Sequence, residues 1–598
     1  MGPQTATLPV ARTPVRTAGP RAGRAARRLR GWGTLLLLGW LGQVAVRLWL
    51  ASGQTMPVAT PDETGYLFAA RVLTGGPDAD LSWSTIYRGG YPLLLMPAFW
   101  LADEPVSVYR LCIGINALVS AAMLPLAFVL LRRLGLSRRR SYALAHATAL
   151  IPAVVFYAEF VLTDAVLPVV LLGWLLLAHS WLTAEASPAR TALYGAGAGL
   201  LAAYAYTTHT RGIIVLLVHL GLVGLAVVFR WRPWGATALG VLPLAAATAA
   251  GTMLNGYLLP HMYPNGDNNL EANLVQRLTT VDGWGWVLSL GTGQLWYQIV
   301  ATGGLAGIGL VVVAAVAVRR GTAPRLRALA LAVLAVLGGI ALATSAALPD
   351  EYRVGNYAYG RYLACVAPIL FAVGAAFVLR ASRRNVLVAA GAAAGLALLT
   401  AWIVQWYAGD RLTTYAFTKY DFPEPSFLTW NWNEFRLWPA TFAGLALLAV
   451  AVLAVQVPRH GPLTLAVLFV GLHLAMNATA TWHIARPLVR DYTAMTDLRK
   501  IADPRNQRTV AIDWTVAWKI RLPQLYWVWW TEVRGFDGLN QAPPTDVDLV
   551  ILAWDKSTSA SATWRTAPPG WRVVARHRTA EGDWVAWQRP SEASAPQK

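Results

Sequence analysis

Apolar residues along this chain come in blocks of about 18–25 residues, separated by short polar stretches. That is the length a helix needs to cross a hydrocarbon layer about 30 Å thick. Lipid cannot satisfy open backbone groups, so each block is expected to be a helix. About thirteen spans are read, at 33–51, 107–131, 141–158, 164–183, 191–207, 213–229, 236–259, 295–318, 327–348, 363–380, 385–407, 439–457 and 463–482. Composition agrees. Hydrophobic residues make up 56% of the 598 and charged residues only 13%, about half the share usual in soluble domains.

The polar stretches carry the orientation. Arg132, Arg133, Arg138, Arg139 and Arg140 follow the second span, and Arg230 and Arg232 the sixth. Arg319, Arg320, Arg325 and Arg327 lie around the loop after the eighth, Arg380, Arg383 and Arg384 after the tenth, and Arg459 after the twelfth. All fall on one side if the N-terminus is cytoplasmic, as the positive-inside rule requires. The C-terminus is then extracytoplasmic. The net charge of +20 is therefore a topogenic signal. Nucleic-acid binding is not expected, since heptads, zinc-finger spacings and aromatic–basic strips are missing from the sequence. Cys112 and Cys365 fall in separate spans and form no metal-ligand pair.

Residues 1–32 are rich in arginine and contain no acid, and read as a disordered cytoplasmic tail. With the first apolar run they form a signal anchor, since no small-residue cleavage site follows. Residues 33–482 form the membrane module, with a first outer loop at 52–106. Further outer loops lie at 260–294, 349–362 and 408–438. From 483 the pattern changes. "QRTVAIDW", "VDLVILAWD", "WRVVARHR" and "DWVAWQR" read as strands between Pro, Gly and Ser turns. Residues 483–598 are expected to form a small extracytoplasmic α/β domain. The fold class is thus a polytopic α-helical membrane protein with such a domain appended.

The first outer loop holds the densest candidate chemistry. After Pro61, Asp62 and Glu63, apolar residues recur at Tyr66, Leu67, Ala69, Ala70 and Leu73, which predicts a helix with acids in its first turn. A second helix is predicted over 91–101. Both read as amphipathic helices lying in the membrane interface. Asp62 and Glu63 could simply stabilise the helix N-terminus, or they could serve a site.

The order of segments favours a site. A single span, an outer loop opening Asp-Glu with a tyrosine three residues beyond, a juxtamembrane helix and "GYPLLLMP" follow one another. "FYAEFVLTDAVLPVVLLGWLLL", "AYTTHTRGIIVLLV" and "NYAYGRYLACVAPIL" come later. Over roughly 33–380 this resembles the C-type-fold (GT-C) membrane glycosyltransferases, the class of protein O-mannosyltransferases and lipid A aminoarabinose transferases. The resemblance implies transfer of a sugar from a polyprenyl-phosphate donor to a glycan, lipid or protein acceptor on the outer face. It gives Asp62 the role of general base. It gives Glu63 that of a second acid, tied to an arginine near the start of the second span, for which Arg110 is the candidate. The leaving phosphate suits arginine, whose planar fork binds its oxygens in pairs. Arg211, Arg353 and Arg361 lie at outer helix ends, with Tyr362 and His209 beside them. Glu159 and Asp164 flank an outer corner. The Lys-Pro-Pro-like segment of the aminoarabinose and mannose subfamilies is here "RGGYPLL", with Arg88 as the nearest cation.

Cofactor chemistry is not demanded. Two adjacent acids are too few ligands to argue for a metal, although a divalent cation is left open. "DAD" at 78–80 and "DVD" at 546–548 match a nucleotide-sugar motif but lie on the wrong side. "LYWVWW" at 525–530 reads as sheet core, interfacial belt or sugar-stacking surface. The alternative functions are a transporter or flippase, and a non-catalytic assembly factor for lipid-linked sugars. Transport predicts ionisable residues deep within spans, and the spans are nearly free of them.

Overall fold

A computed structural model describes residues 21–589 apart from 83, 267–269, 457–459, 497, 499–508, 528–530 and 580, with side chains from residue 31. The tail residues 1–20, Arg459 and the last three residues of "LYWVWW" lie outside the described residues. The first helix, Arg21–Leu50, begins inside the segment read as a tail.

Helices dominate, and many carry bare apolar faces: Leu37, Leu38, Trp49, Leu242, Met253, Trp402 and Trp406 are all exposed. Such a belt on a packed helical bundle fits lipid as its surroundings. Eight helices are long and apolar enough to span a membrane, or up to eleven if each bent pair is one span. The count of about thirteen is therefore higher than length and composition support. Two segments account for the difference: Pro188–Thr208, diluted with Gly, Ala and Tyr, and Gly212–Val228, which has only 17 residues. The segment 295–318 is not one straight span either. Val281–Ala301 and Leu305–Val318 meet at 117°. The bend is made by Gly303 and Gly304, whose φ values of 55° and 76° favour glycine.

The bundle has two chemically distinct ends. At one, arginines tie successive segments together through backbone carbonyls, three of them at or just beyond helix C-termini. Arg380 donates to Leu134 O (2.5 Å), Arg133 to Leu176 O (2.6 Å), Arg232 to Trp181 O (2.5 Å) and Arg325 to Trp231 O (3.2 Å). The opposite end holds the acids and arginines of the outer loops.

The C-terminal domain is a five-stranded sheet of β1 (Thr509–Asp513), β2 (Glu532–Phe536), β3 (Leu549–Trp554), β4 (Arg572–His577) and β5 (Asp583–Gln588), in the order β2-β1-β3-β5-β4. β1 runs parallel to β2 and β3, with helix Trp518–Trp527 as the β1–β2 crossover, while β5 is antiparallel to β3 and β4. All four predicted strands are present. The missed one, β2, is "EVRGF", an edge strand too short and too charged to show an apolar pattern. The last membrane helix does not stop at 482. It passes through a π-helical turn at Thr481–Ala485 and runs on to Thr496, so the sheet begins later than 483. Tyr526 and Trp527 are buried in packing: Tyr526 Oη donates to Pro105 O (2.5 Å) and Trp527 Nε1 to Thr496 Oγ1 (3.2 Å). The sheet domain is thereby fastened to the first loop and to the last helix.

Candidate active site

The helix predicted after Pro61 spans Asp62–Leu73. Every residue from Glu63 to Val72 is buried, so it is a core element and not an amphipathic helix lying at an interface. The second predicted helix is Gly90–Leu101. Gly65 has no room for a side chain, since a Cβ there would sit 2.0 Å from the ring of Tyr87. That close approach lets Tyr87 fold over the helix start, where its hydroxyl donates to Asp62 Oδ1 (3.1 Å).

Asp62 and Glu63 are adjacent but differently placed. The Asp62 side chain keeps 32% of its surface open. Glu63 is fully buried and accepts four hydrogen bonds: Val58 N–H and Ala59 N–H reach Oε2, both at 2.7 Å, while Val161 N–H (2.7 Å) and the Tyr109 hydroxyl reach Oε1. Burial pushes its carboxyl up, opposed by these four donors. The expected Glu63–Arg110 pair is not formed. Arg110 points to the exposed side of its helix, and its neighbour Tyr109 occupies the inward position. Glu63 is therefore a strut that joins three chain segments.

Asp62 belongs to a different partnership. Arg361 Nη1 lies 2.7 Å from Asp62 Oδ2, and Arg361 Nε lies 2.9 Å from Asp164 Oδ2. Arg211 Nη2 lies 3.2 Å from the other Asp164 oxygen. The result is a line of alternating charge, Asp62–Arg361–Asp164–Arg211, drawn from four distant parts of the chain. Asp164, Arg211 and Arg361 are buried, so mutual pairing is what makes their charges tolerable there. Arg211 is spent internally: Nη1 donates to the carbonyls of Arg361 (3.1 Å) and Tyr362 (3.2 Å), and its other nitrogens face Asp164 and the ring of His209. It positions Arg361 and has no fork left for a ligand. Tyr362 contributes that carbonyl, and its ring packs edge-on against Tyr359 at 4.9 Å.

His209 is half-buried among cations. Burial and the guanidiniums of Arg211, Arg361 and Arg88 hold its imidazole well below its ordinary range, so it is neutral. Arg88 stands on the same flank. Its Nη1 donates to Tyr206 O (2.8 Å), and its guanidinium lies 4.6 Å from the centre of the Tyr206 ring.

Two candidates stand apart. Arg353 pairs with Glu351 (2.5 Å) and Asp421 (3.6 Å), and reaches Arg361 only through the ring of Tyr359, which it covers at 5.6 Å. Glu159 does not accompany Asp164. It accepts from Thr481 Oγ1 (2.6 Å), on the π-helical turn of the last membrane helix. Sequence reasoning missed Tyr87, Tyr109, Tyr420, Asp421 and Glu424. The last three come from the loop at 408–438, whose acids and aromatics form no pattern until folding brings Asp421 to Arg353, Glu424 to Tyr297 and Tyr420 to the rings of Phe156, Tyr157 and Phe160. Among the described residues, no group of three or more His, Cys, Asp or Glu could hold a metal ion.

Two solved structures share this architecture. ArnT from Cupriavidus metallidurans bound to undecaprenyl phosphate superposes with a TM-score of 0.54 at 15% identity, over 95% of this chain and 99% of that one. The same protein in the apo state gives 0.52 at 17%, over 95% and 100%. The chain has the C-type fold of ArnT. No protein-family model and no curated protein matches it. The expectation drawn from ordered short segments is thus met for the fold, sheet domain included.

Proposed function

We propose that this protein is a membrane glycosyltransferase that moves a sugar from a polyprenyl-phosphate donor to a glycan, lipid or protein acceptor, with Asp62 as general base. The observation that carries this reading is Asp62 itself. It is a partly open carboxylate, fixed by Arg361 and Tyr87, at the loop-rich end of an ArnT fold. The ArnT structure bound to undecaprenyl phosphate supports the class of donor.

In the proposed reaction the acceptor hydroxyl gives its proton to Asp62 as its oxygen bonds to the anomeric carbon. The bond from that carbon to the phosphate oxygen breaks, and polyprenyl phosphate leaves as an anion. Geometry is the first requirement for a base, and the Arg361 and Tyr87 contacts, which fix the Asp62 carboxylate, support this reading. Arg361 touches the base and keeps Nη2 free of hydrogen bonds among the described residues, so it can meet the departing phosphate. Arg88 adds positive charge on the same flank. The end bearing Asp62 is assigned to the extracytoplasmic side and the arginine-tied end to the cytoplasm, which puts the sheet domain outside. Ion pairs gathered at one rim, and not strung along the bundle, favour chemistry over passage.

The test is Asp62→Asn in proteoliposomes supplied with radiolabelled polyprenyl-phosphate sugars. Transfer should fall about 10²–10⁴-fold, well beyond what the lowered melting temperature from leaving Arg361 with Asp164 as its remaining carboxylate accounts for. Full activity in the variant would remove Asp62 as the base. No transfer or hydrolysis by the wild type from any donor in the panel would remove the function.

A further inference from the structure

The turn Lys419–Asp421, in the loop between two late membrane helices, brings one more side chain to the site. The ring of Tyr420 is clasped by Phe156 (5.9 Å), Tyr157 (5.5 Å) and Phe160 (5.2 Å). Its carbonyl accepts from Tyr157 Oη (3.4 Å). On the other side of the turn, Asp421 is paired with Arg353. The ring is thus held on several sides, yet its buried hydroxyl has no hydrogen-bond partner among the described residues. A buried polar group without a partner is uncommon in folded proteins and calls for a reason.

Its surroundings suggest the reason. Arg361 lies over the ring of Tyr157 at 5.9 Å, so Arg361 and Tyr420 pack on the same aromatic platform. The ionisable groups that act most on the hydroxyl are Arg361, Tyr359, Asp164 and Glu63. Burial holds the phenol well above its ordinary range, so the hydroxyl keeps its proton and remains a donor. Asp164 is saturated by Arg211 and Arg361, and Glu63 by its four donors. Neither needs this proton. An anion arriving beside Arg361 would.

We infer that Tyr420 is a phosphate-binding residue, whose hydroxyl donates to a phosphate oxygen of the lipid donor beside Arg361. This rests on the proposed function, and it makes the 408–438 loop part of the donor site. The acceptor hydroxyl is the less suitable partner, because it must lie against Asp62, which Tyr87 and Arg361 already orient.

The experiment compares the full-length wild type with Tyr420→Phe in nanodiscs, titrated with undecaprenyl phosphate and, separately, with undecaprenol. Tyr420→Phe keeps the ring and its packing, so its melting temperature should match the wild type. Its affinity for undecaprenyl phosphate should fall about tenfold, the scale of one hydrogen bond to a charged group, and its affinity for undecaprenol should not change. Equal affinity of wild type and variant for undecaprenyl phosphate would overturn the assignment and leave the proposed function standing. An equal loss for both lipids would make Tyr420 a packing residue and overturn it as well. A wild type that binds the two lipids alike would remove the donor class and with it both proposals.

Discussion

Arg361 holds two carboxylates with one guanidinium: Nη1 lies 2.7 Å from Asp62 and Nε 2.9 Å from Asp164. A planar fork offers two donors in fixed, separated directions, which the single nitrogen of an ammonium does not reproduce. Arg361→Lys is therefore expected to behave as a severe change. Asp62 loses its orientation, and misplacing a reacting group by about 1 Å costs on the order of 10²-fold in rate. The lysine keeps a positive charge beside Asp164 but not the Nε contact, and Arg211 still pairs with that acid. The stability loss should therefore stay below the cost of removing a buried partner outright, about 3–5 kcal/mol. Turnover and thermal unfolding of the purified variant check both parts.

Glu63 tests the separation of the two adjacent acids. All four of its partners are donors, so Glu63→Gln turns an amide N–H₂ toward at least one of them. The expected loss is about 1–3 kcal/mol of stability, read as a lowered melting temperature. Catalysis should fall only in proportion to the folded fraction. If Glu63→Gln melts normally but loses transfer as completely as Asp62→Asn, Glu63 acts in the chemistry.

Arg110 is the complementary control. It is exposed and does not reach Glu63, so Arg110→Ala should leave activity within about twofold and stability within about 0.5 kcal/mol. A large effect would mean that its position changes when substrate binds.

These contrasts show which parts of the site the sequence makes legible. Asp62 and its helix could be found because acids in a first turn, followed by apolar residues at helical spacing, form a local signal. Arg211 and Arg361 could be found because a lone arginine at an outer helix end is conspicuous in an apolar chain. Pairings were not legible. Whether Glu63 meets residue 109 or 110 depends on which side of a helix faces inward, and a helix buried on much of its circumference shows little periodicity. The alternation Asp62–Arg361–Asp164–Arg211 joins residues up to 299 positions apart, which no spacing rule reaches. The span count differs from the eleven that length and composition reach for a related reason. Pro188–Thr208 packs closely on Trp234–Met262, where Gly240 faces Gly195, and the small residues that allow this dilute its apolar content.

The loop at 408–438 gives the protein a pH dependence whose sign follows from burial. Glu424 is buried and accepts from Tyr297 Oη (2.6 Å) at Oε2, while Oε1 has no partner among the described residues. Burial pushes its carboxyl from 4.5 up to about 7. Burial likewise raises Asp421 to about 6, against the pull of Arg353. An acid whose affinity for a proton is higher in the folded state keeps that proton while the unfolded chain has lost it. Stability must then fall as pH rises from about 4.5 to about 7, and level off above. Below that window both states are protonated and Glu424 contributes no slope. The Glu424 contribution is on the order of 3 kcal/mol across the window, an upper figure if the loop relaxes. Glu424→Gln holds the neutral form at every pH. It should melt like the wild type near pH 4.5, melt higher than the wild type near pH 8, and lose the part of the slope that Glu424 supplies. Thermal midpoints of both proteins in detergent, measured across this range, decide the matter: parallel curves would place the pH dependence on groups other than Glu424.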